Sequence, residues 1–109
     1  MNKKSDILER LYSTIESRKG DNPEASYTAK LLTQGMPEIA RKVGEEAIET
    51  ITAALTEEKI RIVEESADLL YHLLILWAQK GVTPEEVWTE LASREGKSGS
   101  KEKASRTTD

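Results

Sequence analysis

The 109-residue sequence contains no cysteine and only one histidine. The first absence excludes disulfides, thiolate zinc sites and a cysteine nucleophile, and the second excludes any site that needs two histidines from one chain. No apolar run approaches the roughly 20 residues of a membrane-spanning helix. The N-terminal residues, MNKKSDILER, lack the apolar segment of a signal peptide, so we expect a cytoplasmic protein without a membrane partner.

Strand patterns are also missing, because no run of residues alternates between apolar and polar side chains. The net charge of −4 argues against a nucleic-acid partner. The segment DLLYHLLILWA at 68–78 is apolar nearly all round, which indicates a helix buried on every side. A chain this small achieves such burial by packing against a second copy. We therefore predict an all-α protein, a bundle of four to five helices whose core is completed by homodimerisation.

Start and stop signals divide the chain into five predicted helices. They cover about residues 6–18, 26–34, 37–55, 58–80 and 83–94. Asp6 and Glu9 are expected to form a capping box at the start of the first helix. Either Ser26 or Thr28 is expected to cap the second.

The end of the chain has a different composition. Residues 96–109 are rich in glycine, serine and lysine and show no apolar period, so we expect a flexible basic tail. A simple solvated tail is one interpretation, and an arm that closes over an anionic ligand is the other. Residues 1–95 are then expected to form the single domain.

Acidic residues recur at helical spacing on the third and fourth predicted helices. Glu45, Glu46 and Glu49 share one arc, and Glu65 and Asp68 share another. In an antiparallel pair with a rise of about 1.5 Å per residue, acids of the two helices lie level with one another. Four carboxylates are therefore expected to converge and to need a hard divalent cation, unless both faces are merely exposed to water.

The apolar residues of the same two helices are expected on the opposite arcs. On the third helix these are Ile39, Val43, Ala47, Ile51 and Ala54. On the fourth they are Val63, Ala67, Leu70, Leu74 and Trp77. This pattern predicts that the carboxylates lie at the mouth of a buried groove.

The acid spacing resembles the signature of the all-α nucleoside triphosphate pyrophosphohydrolases, the MazG-like superfamily. Within it, the segments LYSTIESRK, SYTAKLL, KVGEEAIE, EESADLLYHLL and EKASR are similar to those of the phosphoribosyl-ATP pyrophosphatases, over nearly the whole chain. The resemblance implies hydrolysis of 1-(5-phosphoribosyl)-ATP to 1-(5-phosphoribosyl)-AMP and pyrophosphate, the second step of histidine biosynthesis. It also implies an all-helical homodimer with Mg²⁺ as cofactor.

The resemblance further implies roles for particular residues. The implied metal ligands are Glu46, Glu49, Glu65 and Asp68. Glu45 is implied as a further ligand or as the base that positions water, and it forms the catalytic set with Glu46 and Glu49. Contacts with the substrate's phosphates, ribose and base are expected from Arg18, Lys19, Tyr27, Thr28, Lys30, Lys42 and His72.

Two other functions remain compatible with the acid spacing. One is house-cleaning hydrolysis of a different nucleoside triphosphate. The SYTAKLL segment, which the acid motif does not require, favours hydrolysis of phosphoribosyl-ATP over this alternative. The other is a non-catalytic helical dimer that binds a partner through its acidic face.

Overall fold

A computed structural model of the chain describes residues 4–56 and 58–96. A short 3-10 helix at Lys4–Asp6 is followed by α1 (Ile7–Ser17), α2 (Tyr27–Gln34), α3 (Met36–Thr56), α4 (Lys59–Lys80) and α5 (Pro84–Ser93). No strand occurs within these two ranges, so the predicted all-α class is confirmed, and the helix bounds closely match the predicted ones. Residues 97–109 of the predicted tail lie outside the described residues.

None of the helices in the described part of the chain combines the length and hydrophobicity needed to cross a bilayer.

Local signals in the sequence account for where the helices begin and end. The Ser26 hydroxyl accepts a hydrogen bond from the Ala29 N–H at 3.1 Å, so Ser26 caps α2 and Thr28 does not. Gly35 and Gly81 end α2 and α4 with φ angles of 95° and 74°, which favour glycine.

The capping box predicted for the first helix is wrong. Asp6 makes no side-chain cap hydrogen bond, because its backbone continues the preceding 3-10 turn instead of adopting the extended geometry of a helix cap. Glu9 is engaged elsewhere, since its carboxylate accepts a hydrogen bond from the indole N–H of Trp88 on α5. That contact joins the first and last helices.

The core lies where α1, α2 and α3 pack on the C-terminal half of α4. Its buried members are Ile15, Leu31, Ile39, Leu74, Ile75 and Ala78. The α3–α4 pair forms the most extensive contact of the described chain. Its outer half, toward the connecting turn, extends beyond this core and buries Ala53.

The apolar arc predicted for α3 is partly wrong. Glu46 lies seven residues from both Ile39 and Ala53, which is two helical turns, and all three side chains are buried in one inward row. Ile48 and Ile51 are exposed by 62% and 54%. The acid therefore occupies a core-facing row, and large apolar side chains face outward.

On α4, too, polar side chains face the core and apolar side chains face outward. Glu65 and His72, also seven residues apart, are both buried. Leu74 is buried as predicted, whereas Val63 and Leu70 are exposed by 55% and 43%. The segment expected to be buried on every side thus has an uncovered side in the single chain.

Candidate active site

Three carboxyl groups meet between α3 and α4. One oxygen each from Glu46, Glu49 and Glu65 lies within 4.8 Å of the other two, and we call these residues the three-acid group. Glu46 and Glu65 are buried, and Glu49 is exposed. The Thr50 hydroxyl lies 2.8 Å from the Glu46 carbonyl and 3.2 Å from the Glu65 carbonyl, so it joins the two backbones at this level.

The buried oxygens of the three-acid group are incompletely paired. Within the described residues, Oε1 of Glu46 and Oε1 of Glu65 have no hydrogen-bond partner. An unpaired buried carboxylate oxygen is costly. Burial, followed by the neighbouring Glu49 carboxyl, raises the pKa of Glu65, whereas Arg61 lowers it. Two buried carboxylate oxygens without partners, beside a third carboxylate, fit a hard divalent cation, and Mg²⁺ stays a prediction.

Asp68, the fourth predicted ligand, lies outside the three-acid group. It is exposed, and its charge helps to raise the pKa of Glu65, after the effects of burial and Glu49. Its main-chain carbonyl accepts a hydrogen bond from His72 Nδ1 at 2.7 Å. The structure therefore brings together three of the four carboxylates, and the role of Asp68 as a ligand stays a prediction.

Two arginines that the sequence reasoning missed neutralise acids of the site. Arg61 Nη2 lies 2.7 Å from Glu65 Oε2, and Arg41 contacts the Glu45 carboxylate. Each arginine precedes its acid by four residues, the spacing that predicts an ion pair on a helix. This signal is present in the sequence.

Glu45 lies beside the three-acid group and is not a member of it. Its carboxylate contacts Arg41 and lies 3.5 Å from Lys42 Nζ. The same ammonium is 3.8 Å from Glu46 Oε2. Lys42 thus connects a buried carboxylate with a half-buried one, and the proposed role of Glu45 as base or further ligand stays a prediction.

Three of the predicted substrate-binding residues border one cavity. Tyr27, Lys30 and Lys42, together with Arg41, line an opening of about 160 Å³. Tyr27 and Lys30 also line a larger one of about 620 Å³ beside residues 23–26. Because Lys42 pairs with Glu46, the basic cavity and the three-acid group are neighbours.

Two other predicted substrate-binding residues are buried. Thr28 is 4% exposed, and its hydroxyl hydrogen-bonds with the Tyr71 hydroxyl. His72 is 7% exposed, and its Nε2 lies 2.7 Å from the Tyr27 hydroxyl oxygen. Their polar groups are therefore occupied by protein partners.

The last two predicted substrate-binding residues have partners outside the three-acid group. Arg18 Nη1 is 3.9 Å from Asp21 Oδ2 in the loop after α1. Lys19 Nζ donates to the Ala78 carbonyl at 2.9 Å, near the C-terminal end of α4. That carbonyl is about 20 Å along the helix from Glu65, at a rise of about 1.5 Å per residue. The structure does not bring Lys19 together with the carboxylates.

Residues 8–95 match the family model described as Phosphoribosyl-ATP pyrophosphohydrolase. The chain belongs to the phosphoribosyl-ATP pyrophosphohydrolase family. The family resemblance predicted from the sequence is thereby confirmed. Every candidate residue of the site lies within the matched range.

Relatives of this family member carry the name phosphoribosyl-ATP pyrophosphatase. The relative from Paramagnetospirillum magneticum is 61% identical over 102 residues, which cover 94% of each chain. The relative from Azospirillum brasilense is 55% identical over 92% of this chain and 90% of its own. The relative from Gluconobacter oxydans is 49% identical over 92% of this chain and 75% of its own. The similarity thus extends over nearly the whole sequence.

Proposed function

We propose that this chain hydrolyses 1-(5-phosphoribosyl)-ATP to 1-(5-phosphoribosyl)-AMP and pyrophosphate, the second step of histidine biosynthesis. The observation that carries the proposal is the family match over residues 8–95, within which a buried carboxylate group borders a basic cavity. The reaction breaks the bridging P–O bond between the α- and β-phosphates. Water adds a hydroxyl group to the phosphorus that is attacked and a proton to the oxygen that leaves with the other product.

The proposed cofactor is Mg²⁺, held by Glu46, Glu49 and Glu65, with Asp68 joining from the next turn of α4. The unpaired Oε1 atoms of Glu46 and Glu65 support this assignment. When bound, a divalent cation supplies the positive charge that a polyphosphate needs near carboxylates and lowers the pKa of water. Arg61 contacts Oε2 of Glu65 and leaves Oε1 as the available donor.

The basic residues of the site are proposed to hold the phosphates. Lys42 and Arg41 both line the cavity and both pair with Glu45. A polyphosphate competes with that carboxylate for the two cations, because phosphate oxygens bind guanidinium and ammonium groups well. Substrate binding would release Glu45, which is then able to accept a proton from water or to act as a further ligand.

We also propose that the enzyme is a homodimer formed through the outer half of the α3–α4 hairpin. The exposed apolar side chains there are Ile48, Ile51, Leu55, Ile60, Val63 and Leu70. Apolar surfaces of this kind mark protein interfaces. Ile48 and Glu49 line the same opening of about 650 Å³, so a second copy seated on these residues also shelters Glu49, the exposed member of the three-acid group, from water.

The same proposal assigns the enzyme to the cytoplasm, with a nucleotide as its ligand and no nucleic-acid partner. The net charge of −4 supports the expected lack of a nucleic-acid partner, because negative charge opposes nonspecific binding to a phosphate backbone.

Pyrophosphate release from phosphoribosyl-ATP, measured with and without Mg²⁺, tests the proposed function. We expect release that requires the cation and stops when a chelator removes it. Parallel assays with dCTP and dUTP separate this activity from house-cleaning hydrolysis, and we expect slower turnover of both. Absence of metal-dependent release from phosphoribosyl-ATP would overturn the proposal. Metal-dependent release that is faster from dCTP or dUTP would assign the site to another nucleotide.

A further inference from the structure

His72 is buried, and both nitrogens of its ring have a protein partner. Nδ1 lies 2.7 Å from the main-chain carbonyl oxygen of Asp68, and Nε2 lies 2.7 Å from the hydroxyl oxygen of Tyr27. Both partners are uncharged groups. A carbonyl oxygen only accepts hydrogen bonds, so Nδ1 carries a proton and donates it.

The position of that proton decides the direction of the second hydrogen bond. In the neutral ring, Nε2 then has no proton and accepts one, so the Tyr27 hydroxyl is the donor. Burial raises the pKa of Tyr27, against the charge of Lys42, which lowers it, so the phenol keeps its proton at neutral pH. Because that single proton is committed to His72, the Tyr27 oxygen offers any other partner only lone pairs.

Neighbouring rings hold this arrangement in place. The Tyr27 and Tyr71 rings meet the imidazole of His72 edge-on, with centroid distances of 5.7 and 6.0 Å. Tyr71 is held in turn by its hydroxyl contact with Thr28. The imidazole therefore lies between two aromatic rings that oppose its rotation.

Tyr27 is positioned to meet a ligand. It is 51% exposed and lines both the basic opening that contains Lys42 and the larger one beside residues 23–26. Phosphate oxygens of a nucleotide are acceptors, and they gain nothing from an oxygen that also offers only lone pairs. Ribose hydroxyls and the N–H groups of the base are donors, and they match this oxygen.

We propose that Tyr27 is a specificity-determining residue that accepts a hydrogen bond from the nucleoside part of the nucleotide, either a ribose hydroxyl or an N–H of the base, and that His72 is the positioning residue that imposes this role. In this proposal His72 acts through Tyr27 and does not contact the substrate. The identity of the nucleotide rests on the proposed function. The hydrogen-bond directions rest on the contacts of His72 alone.

Nitrogen NMR of the imidazole tests the directions without any measurement of activity. His72 is the only histidine of the chain, so its two ring nitrogens are observed without overlap from another residue. We expect a pyrrole-like shift for Nδ1 and a pyridine-like shift for Nε2. A proton on Nε2, alone or together with one on Nδ1, would overturn the proposal, because Tyr27 would then be free to donate to phosphate.

Kinetics of Tyr27→Phe test the role in substrate binding. We expect KM for phosphoribosyl-ATP to rise roughly three- to tenfold with kcat near that of the wild type, the effect of one neutral hydrogen bond. The inhibition constant of inorganic pyrophosphate is expected to stay unchanged, because pyrophosphate has no nucleoside part. Tyr12→Phe is the matched control, because Tyr12 lies on α1, packs against the core and lines neither opening, and its KM is expected to stay near the wild-type value.

Variants of His72 test the positioning role. His72→Gln provides an amide oxygen that can accept the Tyr27 proton, and we expect KM near the wild-type value. His72→Leu provides no acceptor, and we expect KM to rise as in Tyr27→Phe, with no further rise in the double variant. Should His72→Leu fail to fold, the comparison of His72→Gln with Tyr27→Phe and the NMR assignment still decide the question.

Two outcomes separate this inference from the proposed function. If Tyr27→Phe weakens pyrophosphate inhibition as much as it raises KM, Tyr27 binds phosphate and the inference is overturned. If the wild type shows no hydrolysis, the proposed function fails alone. Calorimetric binding of ATP and of pyrophosphate to wild type and Tyr27→Phe then tests the inference without turnover. Weaker binding of ATP alone supports it, and equal weakening of both ligands overturns it.

Discussion

Glu46 and Glu65 approach each other across the α3–α4 hairpin, and each buries a carboxylate oxygen that has no hydrogen-bond partner among the described residues. Both acids lie in rows that face inward, where Ile39, Ala53 and His72 are their buried companions. Buried carboxylates repel each other and lose hydration, so this pairing lowers the stability of the metal-free fold. A cation bound between them reverses that effect, which makes stability a readout of the site.

Glu65→Gln keeps the shape of the side chain and removes its charge. We expect kcat/KM for phosphoribosyl-ATP to fall at least about 100-fold, because a metal ligand is lost. We also expect Mg²⁺ affinity, measured by calorimetry, to fall with it. The metal-free variant is expected to melt at a higher temperature than the wild type, because the repulsion is relieved.

Glu64→Gln is the matched control for this experiment. Glu64 is the preceding residue of α4 and also contacts Arg61, but its side chain is 52% exposed and lies outside the three-acid group. Its activity and Mg²⁺ affinity are expected to remain near those of the wild type. An equal loss in both variants would assign the effect to the charge of Arg61 and not to a metal ligand.

The pH dependence of stability gives a second prediction. The pKa of Glu65 is raised in the folded state from its ordinary value of 4.5, first by burial and then by Glu49. At a pH between the ordinary pKa and the raised pKa of Glu65, the folded chain binds more protons than the unfolded chain. This contribution to stability therefore falls as pH rises. The melting temperature of Glu65→Gln should therefore exceed that of the metal-free wild type by more at neutral pH than in mild acid.

The comparison with the variant is essential because other acids behave in the opposite way. A hydrogen bond from Arg41 lowers the pKa of Glu38, whose contribution to stability is lost as pH falls. The difference between wild type and Glu65→Gln cancels that contribution. A difference in melting temperature that does not change with pH would contradict a perturbed Glu65.

Mg²⁺ addition completes the same experiment. A ligand at 100 times its Kd stabilises the folded state by about 2.7 kcal/mol. We expect the wild-type melting temperature to rise with millimolar Mg²⁺ and that of Glu65→Gln to stay constant. An unchanged wild-type melting curve would count against a metal site in this hairpin.

The helices and most of their ends were predictable because their signals are local. Gly35 and Gly81 end helices through backbone geometry that the adjacent sequence determines. The inward position of Glu46 was not predictable in this way, because an apolar-versus-charged division of a helix places every acid on the wet face. The sequence signal for its inward position is that Glu46 lies two helical turns from Ile39 and two from Ala53.

Partners distant in sequence were beyond such reasoning. Lys19 donates to the carbonyl of Ala78, 59 residues away, and nothing in the local sequence indicates that pairing. The same limit applies to Tyr27 and His72. The sequence predicts a substrate contact for each of them, and only the structure shows that they contact each other. By contrast, Arg61 and Glu65 are four residues apart on one helix, so the sequence predicts their contact.

Lys19 and Lys42 are expected to respond differently to the same substitution. Lys19→Met removes a donor from the end of α4, so the free energy of unfolding should fall by about 1 kcal/mol while KM stays unchanged. Lys42→Met removes a cation from the cavity, so KM should rise at least roughly tenfold. Denaturant unfolding and initial-rate kinetics measure both effects. A rise in KM for Lys19→Met would place that residue in the substrate site after all.

Dimerisation through the outer hairpin gives a further prediction. The wild type is expected to be a dimer in light scattering, and Ile51→Glu is expected to be a monomer, because a charge in an apolar interface is strongly unfavourable. Leu91→Glu on α5 is the matched control, since Leu91 is 52% exposed and Ile51 54%, and it is expected to stay dimeric. A dimer for Ile51→Glu and a monomer for Leu91→Glu would move the interface to α5.

The Mg²⁺ affinity of Ile51→Glu tests whether the interface also serves the site. Ile48, on the proposed interface, and Glu49, in the three-acid group, line one opening, so separation of the two copies exposes the Glu49 carboxylate to water. Hydration weakens electrostatic interactions with a cation and its substrate. We therefore expect Ile51→Glu to lose Mg²⁺ affinity as well as its partner, with circular dichroism showing that the helices remain. Full Mg²⁺ affinity in a folded monomer would mean that each copy holds its metal without help from the other.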